Sequence, residues 1–412
     1  MWLLDRLLRR LVRRGEFGIV DHDGRAYAYG APDPELEPVS IRFTDGRVAG
    51  AILRRPELGT AEAYMDGRLL FDRGDILGLI LLVTANHRWE DGAPHRRGVG
   101  LADRLRAWLT ARNRAQRARR NVAHHYDIGN ALYRLFLDAD LQYSCAYFTD
   151  PGMSLEAAQE AKKAHIAAKL HLKPGMKVLD IGCGWGGTAL YLNREFDVDV
   201  LGVTLSEEQL KLARERAAAA GVADRVRFEL VDYRSVGGTF DRIVSIGMFE
   251  HVGAAHYDEF FGQAHRLLAP DGVMLLHTIG RFDRPSAGDA FADKYIFPGY
   301  HLPNLSQIVS ASERWRLIAS DVEALRVHYA YTLRHWLERT RANRARIVEL
   351  YDERFFRMWE VYLAGALAMF ELGGACVYQV QYLRDRWAVP LTRDYLGETE
   401  RRLTEGMPRA AA

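Results

Sequence analysis

The chain opens with apolar residues at three- and four-residue spacing. Leu3, Leu4, Leu7, Leu8, Leu11 and Val12 share one face, while Arg6, Arg9, Arg10, Arg13 and Arg14 take the rest. That pattern predicts an amphipathic helix over Met1–Arg14, with Trp2 at its edge. Short strand patterns fill 15–55, with turns at Asp23-Gly24 and Asp45-Gly46. Helical patterns follow at Gly59–Asp66 and Ile76–Asn86. The polar stretch Glu90–Gly100 has linker composition. Asp103–Asn121, with seven arginines and one acid, reads as a second basic helix or as half helix and half tether.

From Asn121 the pattern changes. Helical stretches alternate with apolar, β-branched runs at Lys177–Ile181, Val198–Val203, Val226–Leu230, Arg242–Ile246 and Val273–Ile279. Alternation of this kind predicts an α/β domain with a mainly parallel sheet. Residues 335–385 read as strongly helical and rich in aromatics, a tail suited to capping a sheet edge. The expected division is a smaller N-terminal α+β domain over 1–95, a basic linker over 96–120 and a catalytic domain over 121–412.

Composition removes several classes. With 48% hydrophobic and 27% charged residues and no low-complexity tract, the 412 residues are neither disordered nor collagenous. The longest apolar run, Ile76–Ala85, is roughly half of what a membrane span needs. The arginine-studded start has no small-residue cleavage site, so no signal peptide is visible and a soluble intracellular chain is expected. Three distant cysteines, Cys145, Cys183 and Cys376, argue against a disulfide framework or a zinc site and fit a reducing cytosol. Charge adds an asymmetry. Residues 1–121 hold 22 arginines, no lysine and 16 acids, a net of +6, so the +2 of the whole chain leaves −4 for the remainder. A basic front suggests an anionic partner surface, either nucleic acid or lipid.

The chemistry centres on Val178-Leu179-Asp180-Ile181-Gly182-Cys183-Gly184-Trp185-Gly186-Gly187, a strand ending in a glycine-rich turn. Glycines there let a ligand approach the backbone at the carboxyl edge of a sheet. The string fits a dinucleotide loop only loosely, and no phosphate-binding lysine follows. Asp180 ahead of Gly182 and Gly184 is more like the S-adenosylmethionine (SAM) loop of class I methyltransferases. The spacing downstream agrees. Thr204, Leu205 and Gln209 follow the second strand, where the ribose is expected, although most of that superfamily has an acid there. Asp232 and Tyr233 end the third strand, where a carboxylate suits the adenine amino group. The fourth enters Met248-Phe249-Glu250-His251-Val252.

Taken together, the motifs resemble the cyclopropane-fatty-acyl-phospholipid synthases and the related mycolic acid cyclopropane synthases. The strings are His125-Tyr126-Asp127-Ile128-Gly129-Asn130, Gln142-Tyr143-Ser144-Cys145-Ala146-Tyr147-Phe148, Phe249-Glu250-His251-Val252-Gly253, His277-Thr278-Ile279-Gly280, Lys294-Tyr295-Ile296-Phe297-Pro298-Gly299 and Arg357-Met358-Trp359. Thr204-Leu205-Ser206 with Gln209 resembles that family's replacement for the usual acid. Glu62-Ala63-Tyr64-Met65-Asp66-Gly67 resembles the bacterial members, which have the extra N-terminal domain. The resemblance implies a class I SAM-dependent, Rossmann-like fold and an unsaturated phospholipid as substrate. The alkene would attack the SAM methyl, and a proton lost from the resulting carbocation would close a cyclopropane ring. It further implies bicarbonate as the base, with Cys145, Glu250, His277, the backbone of Ile279 and Tyr329 around it. Tyr331 is the alternative to Tyr329. Tyr143 and Ser144 join the cofactor set. A homodimer is implied as well, as is a cytoplasmic enzyme docked peripherally on the inner, anionic membrane face through its N-terminal domain.

Each residue also has a plain structural reading. Cys145 suits a small buried hydrophobe, and His277 suits a core histidine satisfied within an apolar strand. Cys183 suits packing in the glycine turn. Glu250 either orients an anion or is itself the base, and His251 either orients Glu250 or caps a helix. Tyr126, Tyr143, Tyr147 and Phe249 suit an aromatic wall that shields and stabilises a cation. Met1–Arg14 reads equally as an interfacial helix on anionic lipid or as a helix packed on its own domain. Three features depart from the family pattern: Tyr300-His301 after Pro298-Gly299, Ala366 where relatives often carry a cysteine, and the tail from Val389. Methyl or methylene branching of the acyl chain is the nearest competing activity. A small-amine N-methyltransferase would not need the basic front. No nucleic-acid substrate is expected, because an Asn/Asp-Pro-Pro-Tyr string is absent. The full motif set argues against a purely binding protein.

Overall fold

A computed structural model describes residues 1–92, 129–282 and 289–405. The basic stretch 96–120, the helix expected at Asp103–Asn121 and Tyr126 lie outside these residues. The chain divides into two compact units, each assembled from three segments. The first takes Met1–Val99, Gly288–Pro298 and Leu333–Gly374, and the second takes Gly100–Ala287, Gly299–Thr332 and Ala375–Ala412.

In the first unit a four-stranded sheet is ordered β2-β1-β3-β4, from β1 (Phe17–Val20), β2 (Ala26–Tyr29), β3 (Val39–Phe43) and β4 (Leu69–Arg73). Four N-terminal helices accompany it: α1 (Trp2–Leu11), α2 (Arg47–Arg54), α3 (Pro56–Met65) and α4 (Ile76–Ala85). The strand expected after Asp45-Gly46 is helix α2. Residues 45–46 turn into it, because Val48 and Ala49 bury one helical face. The apolar stripe of α1 is turned inward at Leu4 and Val12, while Trp2 and Leu3 remain 69% and 57% exposed. Helix α1 therefore packs on its own unit through this stripe, with Trp2 and Leu3 of its first turn and Arg6, Arg9 and Arg10 exposed.

Three motif strings meet inside this unit. Glu62 accepts from Lys294 at 2.6 Å and Tyr295 at 2.9 Å, Tyr64 donates to buried Glu360 at 2.5 Å, and Asp66 accepts from Arg354 at 2.9 Å. Arg341 ties Glu360 to Asp75 of the α4 N-cap, at 2.7 and 2.9 Å.

The second unit is built on a seven-stranded sheet ordered β10-β11-β9-β8-β5-β6-β7. Its strands are β5 (Lys177–Ile181), β6 (Asp199–Thr204), β7 (Val226–Leu230), β8 (Phe240–Ile246), β9 (Leu268–Arg281), β10 (Ile318–Ala324) and β11 (Ala375–Leu383). The first five are parallel, and β11 runs antiparallel between β9 and β10. Strand β5 is buried at four of five positions, as expected of a parallel strand covered on both faces. Helix Leu155–Leu170 starts at the Ser154 N-cap, whose Oγ accepts from Ala157 N at 3.2 Å, and buries nearly its whole surface. Residues 375–383, expected as helix, form β11 instead. All nine are buried between two strands, so the period-3.6 pattern before Gly373-Gly374 does not continue past it.

The fold class is thus the expected Rossmann-like α/β arrangement, with a smaller α+β unit. Among the described residues no helix is long and apolar enough to cross a membrane.

Candidate active site

In the second unit the glycine turn after β5 opens onto a cavity at the carboxyl ends of β5–β8. Gly182 stands at φ +83°, and a Cβ there would lie 2.9 Å from Met248. Gly184, at φ +55°, faces open space. A side chain at either position would strain or block this wall. Tyr143, Ser144, Asp180, Gly182, Gly184, Thr204, Leu205, Gln209, Asp232 and Tyr233, the ten residues expected around the cofactor, all line this one cavity. Trp185 lines it too, and its Nε1 donates to Asn130 at 2.8 Å, tying the turn to the Gly129-Asn130 end of a motif.

The polar walls are pre-organised. Thr204 Oγ1 donates to Gln209 Oε1 at 3.0 Å and accepts from Ser206 N at 3.2 Å, while Ser206 caps the helix Glu207–Ala219. Both Asp232 oxygens are engaged by Arg234, at 2.8 and 2.6 Å, so this carboxylate is held by a guanidinium that the motif reading had not foreseen. Lys162 was missed as well. It is fully buried and donates to Gln142 Oε1 at 2.5 Å and Ser144 Oγ at 2.9 Å. Burial pushes its pKa down to about 8.

Asp180 differs from Asp232. It is buried, one of its oxygens has no hydrogen-bond partner among the described residues, and burial pushes its pKa up to about 7. An unsatisfied buried carboxyl on a ligand cavity suits a cationic group arriving with the ligand. The amino and sulfonium groups of SAM are cations of that kind.

Glu250 stands beyond the end of β8 and is also buried. Its Oε1 accepts from the Ile279 backbone N–H at 2.5 Å, and Oε2 has no partner among the described residues. Burial pushes its pKa up to about 7. Glu250 and the Ile279 backbone, both implied by the resemblance, are thus bonded to one another here. His277 lies two residues before Ile279 on β9, so both side chains project to one face of the sheet. Burial and neighbouring Lys162 and Lys169 hold His277 well below the usual imidazole range, so its ring is neutral.

Cys145 is fully buried, its thiol is pushed up by burial, and Sγ donates to Ala146 O at 3.3 Å. A nucleophilic thiolate is not supported. Ala146 N donates to Thr332 Oγ1 and Phe148 N to His328 Nδ1, both at 3.0 Å, which binds the Cys145 segment to the helical turn carrying Tyr329. Tyr329 is buried, whereas Tyr331 is partly exposed and packs on Phe148.

The aromatic candidates divide. Tyr143 lines the cavity, but Phe249 is core, stacked 4.2 Å from Tyr257. Tyr147 is sandwiched between His165 and His328, at 4.1 and 4.9 Å. His251 and His256 both line the cavity, and enclosure pushes His251 down to about 4. The backbone N–H of His301, one of the departures from the family pattern, donates to the Glu250 backbone carbonyl at 3.0 Å.

Known proteins complete the picture. Residues 113–380 match the family described as mycolic acid cyclopropane synthetase. The chain belongs to that family. It is 40% identical over 357 residues to the cyclopropane-fatty-acyl-phospholipid synthase of Escherichia coli K12, covering 84% of this chain and 88% of that one. It is 36% identical over 406 residues to a tuberculostearic acid methyltransferase of Mycobacterium tuberculosis, covering 93% and 91%. Among solved structures, a mycolic acid cyclopropane synthase complexed with SAH and CTAB superposes with a TM-score of 0.62 at 37% identity, over 64% of this chain and 98% of the other. This member of the cyclopropane synthetase family is a SAM-dependent methyltransferase by fold and by descent.

Proposed function

We propose that this protein transfers a methylene unit from SAM to the cis double bond of an unsaturated phospholipid acyl chain, forming a cyclopropane ring with net loss of one proton. The observation that carries this reading is the buried Glu250–Ile279 pair, which leaves one carboxyl oxygen without a partner among the described residues, beside the neutral His277 strand. When bound, SAM supplies the electrophilic methyl and bicarbonate supplies a small base. The residues suit both groups. One Asp180 oxygen has no hydrogen-bond partner among the described residues, and Thr204, Leu205, Gln209, Asp232 and Tyr233 line the continuation of its cavity. The carboxyl of Glu250, the neutral imidazole of His277 and the protonated thiol of Cys145 are hydrogen-bond donors fit for an oxyanion, with buried Tyr329 completing the set. Burial excludes water from these groups, which protects a carbocation formed on the acyl chain.

The same reading has the enzyme in the cytoplasm, as a homodimer, docked peripherally on anionic lipid by its basic front. The names of the E. coli and M. tuberculosis relatives, which refer to acyl lipids, support a lipid substrate.

A second reading is methyl or methylene branching by the same first step. It is favoured by the relative covering 93% of the chain, which is named a methyltransferase rather than a cyclopropane synthase. Incubation with SAM and unsaturated phospholipid vesicles separates the two. A cyclopropane product gains one CH2 and resists catalytic hydrogenation. A methylene branch has the same mass but takes up hydrogen, and a saturated methyl branch, which needs an added hydride donor, resists hydrogenation but is heavier by two further hydrogens. No mass gain on any unsaturated lipid overturns both.

A further inference from the structure

Strand β11 lies between β9 and β10, and its Gln379 is fully buried. In the antiparallel register Gln379 pairs directly with His277 on one side and with Glu323 on the other. Directly paired residues project to the same face. Glu323, Gln379 and His277 therefore form a row across three strands. At one end of the row, Glu323 is occupied by His165 at 2.7 Å and Lys169 at 2.5 Å. At the other, the Gln379 side-chain amide meets His277 Nδ1 at 3.1 Å.

The direction of that hydrogen bond follows from what else the amide meets. Gln379 Oε1 has no partner among the described residues. If the amide were reversed, its NH2 would lose the His277 acceptor, leaving buried N–H donors unpaired. An unpaired buried N–H is rarer and costlier than an under-used carbonyl oxygen. The amide is therefore the donor and Nδ1 the acceptor. A neutral imidazole that accepts at Nδ1 carries its proton on Nε2.

We propose that Gln379 is a positioning residue that locks His277 in the Nε2–H tautomer, so that the ring presents a hydrogen-bond donor to a small oxyanion base. The proposal rests on the placement of His277 in the anion site made above. Gln379 never touches the reacting atoms. An uncharged partner at Nδ1 also matters. A carboxylate there would draw the proton to Nδ1 and turn Nε2 into an acceptor, which repels an anion. The titratable groups around the row are Lys162, His165 and Lys169 from the helix Leu155–Leu170, and Glu323 from β10.

The first test uses the unaltered protein. Two-bond proton–nitrogen spectra of histidine-labelled enzyme, with His277 identified by its loss in His277→Gln, should show the Nε2–H pattern. The Nδ1–H pattern overturns the proposal. The second test compares Gln379→Glu with Gln379→Leu, both checked for SAM affinity and melting temperature. Gln379→Glu should lower kcat about 100-fold near about pH 8, with SAM affinity within about twofold, because a wrong tautomer costs turnover rather than binding. Its activity should recover as pH falls, since the carboxylate raises the His277 pKa and the charged ring regains its Nε2–H. Gln379→Leu should lose turnover without that acid recovery. A wild-type kcat and pH profile in Gln379→Glu overturns the proposal, as do equal, pH-independent losses in the two variants. His277→Ala separates the levels. If His277→Ala is fully active, the site assignment fails and this proposal with it. If it is inactive while Gln379→Glu behaves as wild type, only the role of Gln379 fails.

Discussion

Asp180 and Glu250 are both buried carboxyls pushed to about 7, each with one unsatisfied oxygen, but different measurements report on them. Asp180 sits on the cofactor cavity, so its titration should appear in SAM binding. Its folded pKa lies above the ordinary carboxyl value, so the ligand-free protein binds an extra proton at mildly acid pH. That contribution to stability is lost as pH rises through about 7. A cationic ligand needs the ionised form. SAM affinity should therefore strengthen by up to about tenfold per pH unit below about 7 and level off above it, with proton release visible as buffer-dependent heat in calorimetry. Asp180→Asn should weaken SAM binding about 30-fold and remove the pH dependence. An unchanged slope would show that another group is titrating. In the proposed function, Glu250 and His277 belong to the product-forming step instead. Glu250→Ala or His277→Ala should cut product at least about 100-fold while leaving SAM affinity nearly intact, as expected for groups that handle a proton. Full activity in either variant rules out the assignment.

At the scale of elements, the parallel strands were legible as short runs rich in β-branched and apolar residues between helical stretches, buried at four of five positions in β5 and on alternate positions at the start of β7. Residues 177–181 and 226–230 match their expected bounds. Strands β10 and β11 were not legible. Ile318–Ala324 alternates acids with apolar residues and is largely exposed, and β11 carries Gln379 and Gln381 in its interior. Lys162 was invisible for a related reason. A lysine on a helix reads as a solvated face, and only the tertiary fold shows that its helix is buried on nearly every side. The tail from Val389 had no reading in the sequence. It forms the helix Asp394–Thr404, and its Glu400 meets His165 Nδ1 at 2.7 Å while Glu323 meets Nε2. Burial lowers the His165 pKa, but the two carboxylate hydrogen bonds outweigh it and the net shift is upward. A raised histidine stabilises the fold below its unfolded pKa and ceases to do so as pH rises through the folded one. Glu400→Ala should therefore cost about 1–2 kcal/mol near about pH 6, or a melting shift of about 2–4 °C, and less near about pH 9. Equal shifts at both pH values would show that His165 is not the charged partner.

At the scale of the whole molecule, the linear domain division expected from the sequence cannot express how the first unit is made. Residues 288–298 and 333–374 belong with the N-terminal 99, so the family strings around Lys294 and Arg357, more than 200 positions beyond the one around Glu62, serve one structural cluster with it. The packing of α1 also changes how its proposed membrane role must be tested. Leu4 and Val12 are buried, so deleting Met1–Arg14 would remove core contacts along with any lipid contact. Trp2 and Leu3 are the exposed apolar residues of this helix, and Arg6, Arg9 and Arg10 along it and Arg13 just beyond it are exposed as well. An aromatic and an aliphatic side chain entering the interface, aided by about 1 kcal/mol per nearby arginine on an anionic surface, suffice for reversible docking. The double variant Trp2→Ala/Leu3→Ala should fold normally and keep its melting temperature. It should bind phosphatidylglycerol vesicles at least about tenfold more weakly, since each buried side chain contributes roughly 1.5–3 kcal/mol. Its turnover of the same lipid dispersed in detergent should be unchanged, because the substitutions lie outside the cavity. Wild-type sedimentation with the vesicles would mean that α1 only completes its own unit and that another basic surface meets the lipid.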